Sequence, residues 1–224
     1  MKRSDINAAI KKAEADFARV GFAMPPFAHW SPAEWSAAGE KAARLIEAGH
    51  GWDVTDFGAD RFTERGLLLF TVRNGTLAGG PGNRPYAEKI MISRHNQLTP
   101  MHTHVHKVED IINRAPLSEG ATLAIKLYES DNGVLDKEKP VIAHLDGVAQ
   151  ELAPGSIVHL KAGESITLFP GTFHAFWGEG GDVVVGEVSS VNDDHTDNIF
   201  AEPVARFTGI DEDEPIYRPL VNDH

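Results

Sequence analysis

Apolar residues recur at two different periods along this chain, and the change of period divides it. Across 4–20, Ile6, Ala9, Ile10, Ala13, Phe17 and Val20 return every three or four positions, which predicts an amphipathic helix with one face to cover. A second helix is predicted from Ser31, with Ser31 as cap, Pro32 in the first turn and Glu34 closing a capping box. Ala42, Ala43, Leu45 and Ile46 are expected on its buried side, and Gly49 at its stop. After Gly66 the period shortens. Segments 66–73, 121–129, 141–145, 148–152, 156–160, 165–169, 175–177 and 183–188 read as strands, with Asn74-Gly75 as a turn signal and Asp146-Gly147 joining two strands as a hairpin. Short strands separated by Gly, Pro, Asn and Asp predict a barrel or sandwich rather than alternating β and α units. The run from Ile210 through Pro215 reads as a solvated acidic loop.

Composition narrows the class. At 224 residues the chain can bury a sizeable core as one domain. Its formal charge is -12, from 21 basic and 33 acidic side chains, and no stripe of Lys or Arg appears, which argues against nucleic acid and anionic membrane as partners. With no cysteine, no disulfide framework argues for export, and any metal site must use imidazole and carboxylate. No apolar stretch of signal-peptide or membrane-spanning length stands out, so a soluble cytoplasmic protein is expected.

The chemistry concentrates in one run, His102-Thr103-His104-Val105-His106-Lys107-Val108-Glu109, answered later by Pro170-Gly171-Thr172-Phe173-His174. Any one histidine on a strand is more often an ordinary surface or core residue than a ligand. Here three of the eleven histidines crowd together. Alternate residues of a strand share a face, so His102 and His104 can offer two imidazoles to one ion. Glu109 adds an anionic oxygen, and His174, after a Pro-Gly turn, can arrive from an adjacent strand. Three nitrogens and one carboxylate suit Mn, Fe, Co, Ni or Zn better than Ca or Mg. His106 shares the face by alternation unless a bulge or strand end removes it. The lone His29, His50, His95, His144, His159 and His195 read as ordinary, and Trp30, Trp52, Trp177 and Phe176 as core or dimer surface.

These paired motifs resemble those of the cupin superfamily, double-sheet jelly-roll barrels with metal at the centre. The run from Gln97 through Arg114, with Tyr86-Ala87-Glu88-Lys89 upstream and the stretches from Gly186 through Asn198 and Glu202 through Phe207 downstream, is similar to the D-lyxose isomerase family. That resemblance covers nearly the whole chain. It implies an all-β cupin core with N-terminal helices: a helical extension over 1–65, a barrel over 66–207 and an acidic segment over 208–224. It also implies a Mn-type ion, with Co as a substitute, held by His102, His104, Glu109 and His174, a homodimer, and interconversion of D-lyxose with D-xylulose, with D-mannose and D-fructose as a slower pair.

An aldose–ketose isomerisation passes through an enediolate, so it needs a cation near the C1 and C2 oxygens and groups that move a proton. Lys107 is a candidate, since a lysine near a cation is expected to have a lowered pKa; the competing reading is that it only pairs with a carboxylate. Glu202 and Arg206, in a segment the family shares, are candidates to complete the proton path. Lys89 and Glu187 are candidates to bind sugar, with Glu88 facing away. Asp193, Asp194 and Asp197 could bind hydroxyls, although a loop-capping role suits aspartates better. Two rival classes stay open: a metal-dependent dioxygenase on the same barrel, which calls for an apolar pocket, and a non-catalytic sugar-binding cupin.

Overall fold

The computed structural model describes residues 1–80, 83–194 and 196–224; Pro81, Gly82 and His195 lie outside the described residues. Helix α1 (Arg3–Arg19) is followed by a short 3-10 turn (Pro26–His29), α2 (Pro32–Ala37) and α3 (Glu40–Glu47). The strands then run β1 (Gly51–Thr55), β2 (Leu67–Arg73), β3 (Tyr86–Ser93), β4 (Thr99–His104), β5 (Glu109–Pro116), β6 (Thr122–Asp131) and β7 (Val134–Asp136). They continue through β8 (Val141–Leu145), β9 (Val148–Leu152), β10 (Ile157–Leu160), β11 (Ser165–Leu168), β12 (Phe173–Glu179), β13 (Val183–Ser190) and β14 (Asn198–Phe200).

These strands form two antiparallel sheets. The larger has the order β1-β2-β3-β13-β5-β11-β8-β9, and the smaller β10-β6-β12-β4-β14 with β7 on β6. The alternation of side chains sorts the two faces of the larger sheet. Leu69, Met91, Ile111, Val183 and Val185 point to the smaller sheet and pack with its Leu123, Ile125, Leu127 and Phe176. Their neighbours Leu68, Phe70, Ile90, Ile92 and Val184 point the other way and pack with Ile6, Ile10, Ala13 and Phe17 of α1. With both faces covered, 67–70 of β2, 90–92 of β3 and 183–185 of β13 read as continuous apolar runs. The expected all-β core with N-terminal helices is present, arranged as a cupin-type pair of curled sheets.

Several local expectations change. The helix predicted from Ser31 to Gly49 is two helices: Ser31 caps α2 with the full capping box, but Gly39 at φ +56° breaks the run before α3. As a result Ala42 is buried while Ala43 and Ile46 are exposed. Strand β1 lies before the boundary at 66 and pairs with β2, so the large sheet begins earlier than the sequence suggested. Asp146-Gly147 does close the β8–β9 hairpin, both residues with positive φ. The acidic run near the C-terminus is not a free loop. The buried Arg3 guanidinium donates to Glu212 at 2.7 and 2.8 Å and to Asp223 at 2.8 and 2.9 Å. Ser4 bonds Asp213 and Asn7 bonds Glu214, so the segment clamps α1 onto the sheet.

Candidate active site

The two sheets contribute different chemistry to the space between them. From the smaller sheet come imidazoles: antiparallel pairing of β12 with β4 sets His174 directly opposite His102, and His104 follows two residues along the same face of β4. From the larger sheet come charges. Glu187 on β13 stands opposite Lys89 on β3 and Ile111 on β5, and Glu109, two residues before Ile111, shares that inner face. Lys107 precedes β5 and is 4% exposed. Together they line a cavity with Thr99, Asp194, Arg206 and the apolar Phe57, Leu69 and Phe200.

The nitrogen atoms of His102, His104 and His174 come within 4.8 Å of one another. Oε1 of Glu109 lies 3.2 Å from His104 Nε2 and 3.1 Å from His174 Nε2, about the spacing of adjacent ligands on one ion. The ring orientations fit a metal as well. His102 Nδ1 is 2.8 Å from the Pro100 carbonyl and His174 Nδ1 is 3.1 Å from that of Thr172, so each Nδ1 donates and each Nε2 keeps its lone pair. Asp197 plays that part for His104, with Oδ2 at 3.5 Å from Nδ1. Such outer partners fix the tautomers of metal-binding histidines. His174 Nε2 is buried and makes no hydrogen bond, a costly condition for a polar atom unless something else binds it. The residues present therefore fit a divalent transition ion.

Beside the imidazoles lies an ionic relay. Lys107 Nζ is 2.6 Å from Glu109 Oε2 and 3.0 Å from Glu187 Oε1, and Lys89 Nζ reaches the same Glu187 oxygen at 3.4 Å. Asn192 holds Lys89 through Oδ1 at 2.6 Å. Burial works against the charge on Lys107, but Glu109 and Glu187 outweigh it and raise the ammonium above its ordinary value. Burial likewise opposes the Glu109 carboxylate, yet Lys107 and His104 hold it well below the usual range. For His102 burial prevails, reinforced by His174 and His104, and the imidazole is lowered. It stays a neutral base, as a metal ligand must.

The structure thus brings Lys89, Lys107, Glu109, Glu187, Arg206, His102, His104 and His174 to one cavity. Two candidates lie elsewhere. Glu202 falls just past β14, its side chain 77% exposed and 3.8 Å from Arg65, away from the proton path expected of it. Asp193 lines a neighbouring cavity, and it is Asp194 that reaches this one. Lys107 was expected to have a lowered pKa; its carboxylate partners reverse that direction. Because β4 ends at His104, His106 leaves the strand face and is exposed. Phe176, read as core or dimer surface, lines the pocket, and Trp177 does not. Sequence reasoning passed over Asp53, which pairs with Arg206 at 2.6 Å. Asp197, read as binding hydroxyls or capping a loop, accepts from the backbone amides of His106 and Lys107 and lies behind His104.

Comparison with known proteins bears directly on this cavity. The D-lyxose isomerase family matches residues 1–224. The chain belongs to the D-lyxose isomerase family. It is 47% identical over 218 residues to the D-lyxose/D-mannose isomerase of Serratia proteamaculans, covering 96% of this chain and 94% of that one. The protein of the same name from Escherichia coli O157:H7 is 44% identical over 227 residues, covering 100% and 98%. Among solved structures, Cellulomonas parahominis L-ribose isomerase superposes with a TM-score of 0.61 at 16% identity, over 94% of this chain and 98% of that one; at that identity the likeness speaks for the fold. Family and relatives together make this D-lyxose isomerase family member a sugar isomerase. Among the described residues no helix is long and apolar enough to cross a membrane.

Proposed function

We propose that this chain interconverts D-lyxose and D-xylulose, and more slowly D-mannose and D-fructose, by proton transfer between C2 and C1 of the open-chain sugar. The observation that carries the reading is the side-by-side placement of a metal-type ligand set and a buried lysine–carboxylate relay in one cavity. His102, His104, His174 and Glu109 would hold a divalent transition ion, manganese or cobalt as the family resemblance implies. When bound, it supplies positive charge to the oxygens on which the enediolate's charge develops. The proton-moving work falls to Glu187 and Lys107. Of the two cavity carboxylates not needed as ligands, Asp194 is paired with Arg206 and Glu187 stands beside Lys107, so Glu187 is the group placed to take a carbon-bound proton. Lys107, kept protonated by its two carboxylates, donates to an oxygen of the sugar. Lys89, locked by Asn192, orients Glu187 and remains available to a hydroxyl. The five charged side chains Lys89, Lys107, Glu187, Asp194 and Arg206 on the cavity wall speak against a dioxygenase, whose pocket should be apolar. A purely binding role leaves the buried relay without a use.

The test is turnover of D-lyxose by manganese-loaded protein in deuterated water. Solvent deuterium should enter the product at C1 or C2, and Lys107→Met should keep its ion yet lose roughly two to four orders of magnitude in kcat. Lack of turnover in the loaded wild type, or product that retains the substrate hydrogen throughout, overturns the reading. The same proposal extends to a cytoplasmic homodimer. Helix α1 covers its apolar face within its own chain and so does not argue for a partner; the support comes from the edge strand β9 and its neighbour β8, where Val148 is 62% and Ile142 46% exposed. Light scattering near the 24.4 kDa of one chain would remove that extension.

A further inference from the structure

Asn74 follows β2 and is 5% exposed. With Gly75 it reads as a turn, yet β2 and β3 are joined by the longer stretch 74–85. Its side-chain amide instead brackets the backbone of Asn192: Oδ1 accepts from the Asn192 amide at 3.0 Å, and Nδ2 donates to the Asn192 carbonyl at 3.0 Å. Nδ2 also donates to the Ala48 carbonyl at 3.0 Å, at the end of α3, and the Asn74 backbone amide donates to His50 Nε2. An asparagine side chain offers two donors and an acceptor, and here all are engaged. Gly75 fixes the main chain beside it, because a side chain there would run into the Arg84 carbonyl. Asn192 lies past the end of β13, so the bracket does for it what a neighbouring strand does for the residues of β13. The side chain of Asn192 in turn accepts from Lys89 Nζ at 2.6 Å and bonds Asp194.

We infer that Asn74 is a positioning residue for the isomerisation, acting through Asn192 on Lys89 and so on the carboxylate of Glu187. Asn74 does not line the central cavity, and this role does not require it to touch the sugar. The inference rests on the reading of Glu187 as the group that takes the carbon-bound proton. Three donors converge on one oxygen of that carboxylate, Oε1: Lys107 Nζ at 3.0 Å, Ser189 Oγ at 3.1 Å and Lys89 Nζ at 3.4 Å. They leave Oε2 for the proton and set the direction in which it points. Asn192 holds Lys89 more closely than Glu187 does. The ammonium therefore steadies Oε1 without closing to the roughly 2.7–2.9 Å of a full charge-assisted bond. Lysine has a long, flexible stem, and with Asn192 adrift it would swing onto Glu187 and turn the carboxylate away from the carbon. A base works only within hydrogen-bond reach of the proton it abstracts, so the cost falls on kcat while the sugar still binds.

The experiment measures kcat and KM for D-lyxose, per bound manganese, in the wild type, Asn74→Ala, Asn74→Asp, Asn192→Ala and the double variant Asn74→Ala/Asn192→Ala. Each single variant should lose about tenfold to a hundredfold in kcat, the size of a hydrogen bond to a charged group. KM should stay within about threefold, as for a loss felt in the transition state. Asn74→Asp keeps the volume and the acceptor but turns an oxygen toward two carbonyls, so it carries the test should Asn74→Ala fold poorly. Asn192→Ala keeps the backbone that Asn74 brackets and removes the bond to Lys89. The double variant should then be no slower than Asn192→Ala alone, to within about twofold, because the path is already cut. A residue that only held the fold would multiply the two losses. That product, or Asn74 variants that keep kcat within about threefold of wild type, overturns the inference. If Glu187→Gln turns D-lyxose over like the wild type, the reading of Glu187 fails first and takes this inference with it.

Discussion

Two buried arginines sit in very different company. At the clamp between α1 and the C-terminal segment, Arg3 is 0% exposed and spends Nε, Nη1 and Nη2 on four bonds to Glu212 and Asp223. In the cavity, Arg206 has one nitrogen doubly bound and another with no partner. The same contrast holds for the groups around them. Among the described residues, the clamp leaves no buried polar atom unpaired on Arg3, Glu212 or Asp223, whereas His174 and Arg206 each leave one. Buried polar groups are normally satisfied in a native fold, so the completed network at the clamp suits a structural joint, and an unpaired atom on a cavity-lining residue suits a place where something else binds.

The largest effect that bears on this contrast is expected in the cavity. His104→Ala should lose metal and turnover together, about three orders of magnitude in kcat/KM or more, read by elemental analysis and a D-lyxose assay on the folded fraction. A variant that loses its ion but keeps its rate breaks the distinction. At the clamp the effect should be on stability instead. Arg3→Met should cost about 3 kcal/mol in urea unfolding, at the low end for a broken buried pair because the Glu212 side chain is 53% exposed and can return to water. Its metal-loaded kcat should stay within about twofold of wild type, since Arg3 touches nothing in the cavity; a large fall in kcat would mean that the two regions are coupled.

Much of the cavity was legible because its parts are local. His102 and His104 share a face by strand alternation, Glu109 opens the next strand, and the turn before His174 announces that strand's start. The rest depends on pairings that no spacing displays. Asp53 was hidden because β1 is five residues long, buried throughout, and lies between helices and loops rather than within a run of strands. Glu202 looked functional by sharing a family-like segment with Arg206, yet four residues suffice to carry one outward and the other inward. The acidic C-terminal run looked solvated because a sequence shows charges without showing their partners, and Arg3 is 209 positions away from Glu212. Gly39 was passed over inside a helical pattern, and its positive φ breaks the helix there.

Two smaller effects sharpen the picture. His50 lies outside the cavity, where burial lowers its pKa to about 4; its Nε2 accepts from the Asn74 amide at 3.2 Å. Between that value and the ordinary histidine pKa the unfolded chain binds a proton that the folded one does not, so stability falls as pH drops through this window. By pH 5 the loss should be on the order of 2 kcal/mol, and His50→Gln should flatten that part of the stability profile; an identical profile would show that His50 is not the group responsible. The least effect is expected at Glu202. Glu202→Gln should change kcat/KM by under about threefold, as for an exposed surface site, and a loss of a hundredfold would restore it to the proton path.

The interlocking of α1 with the C-terminal segment also has a meaning for how the protein is made. Arg3 leaves the ribosome early, and Asp223, which it binds, comes 220 residues later. At roughly 5 to 20 residues per second the delay is about 10 to 45 s. During that time α1 has neither its clamp nor β13, the strand that supplies Val184 to the surface it covers. Its apolar stripe of Ile6, Ile10, Ala13 and Phe17 waits in solvent or in the care of a chaperone. Final docking of the helix therefore waits for the segment that holds Asp223, and recoding that slows the ribosome late in this stretch of the message should lengthen the nascent chain's dependence on chaperones without altering the finished enzyme.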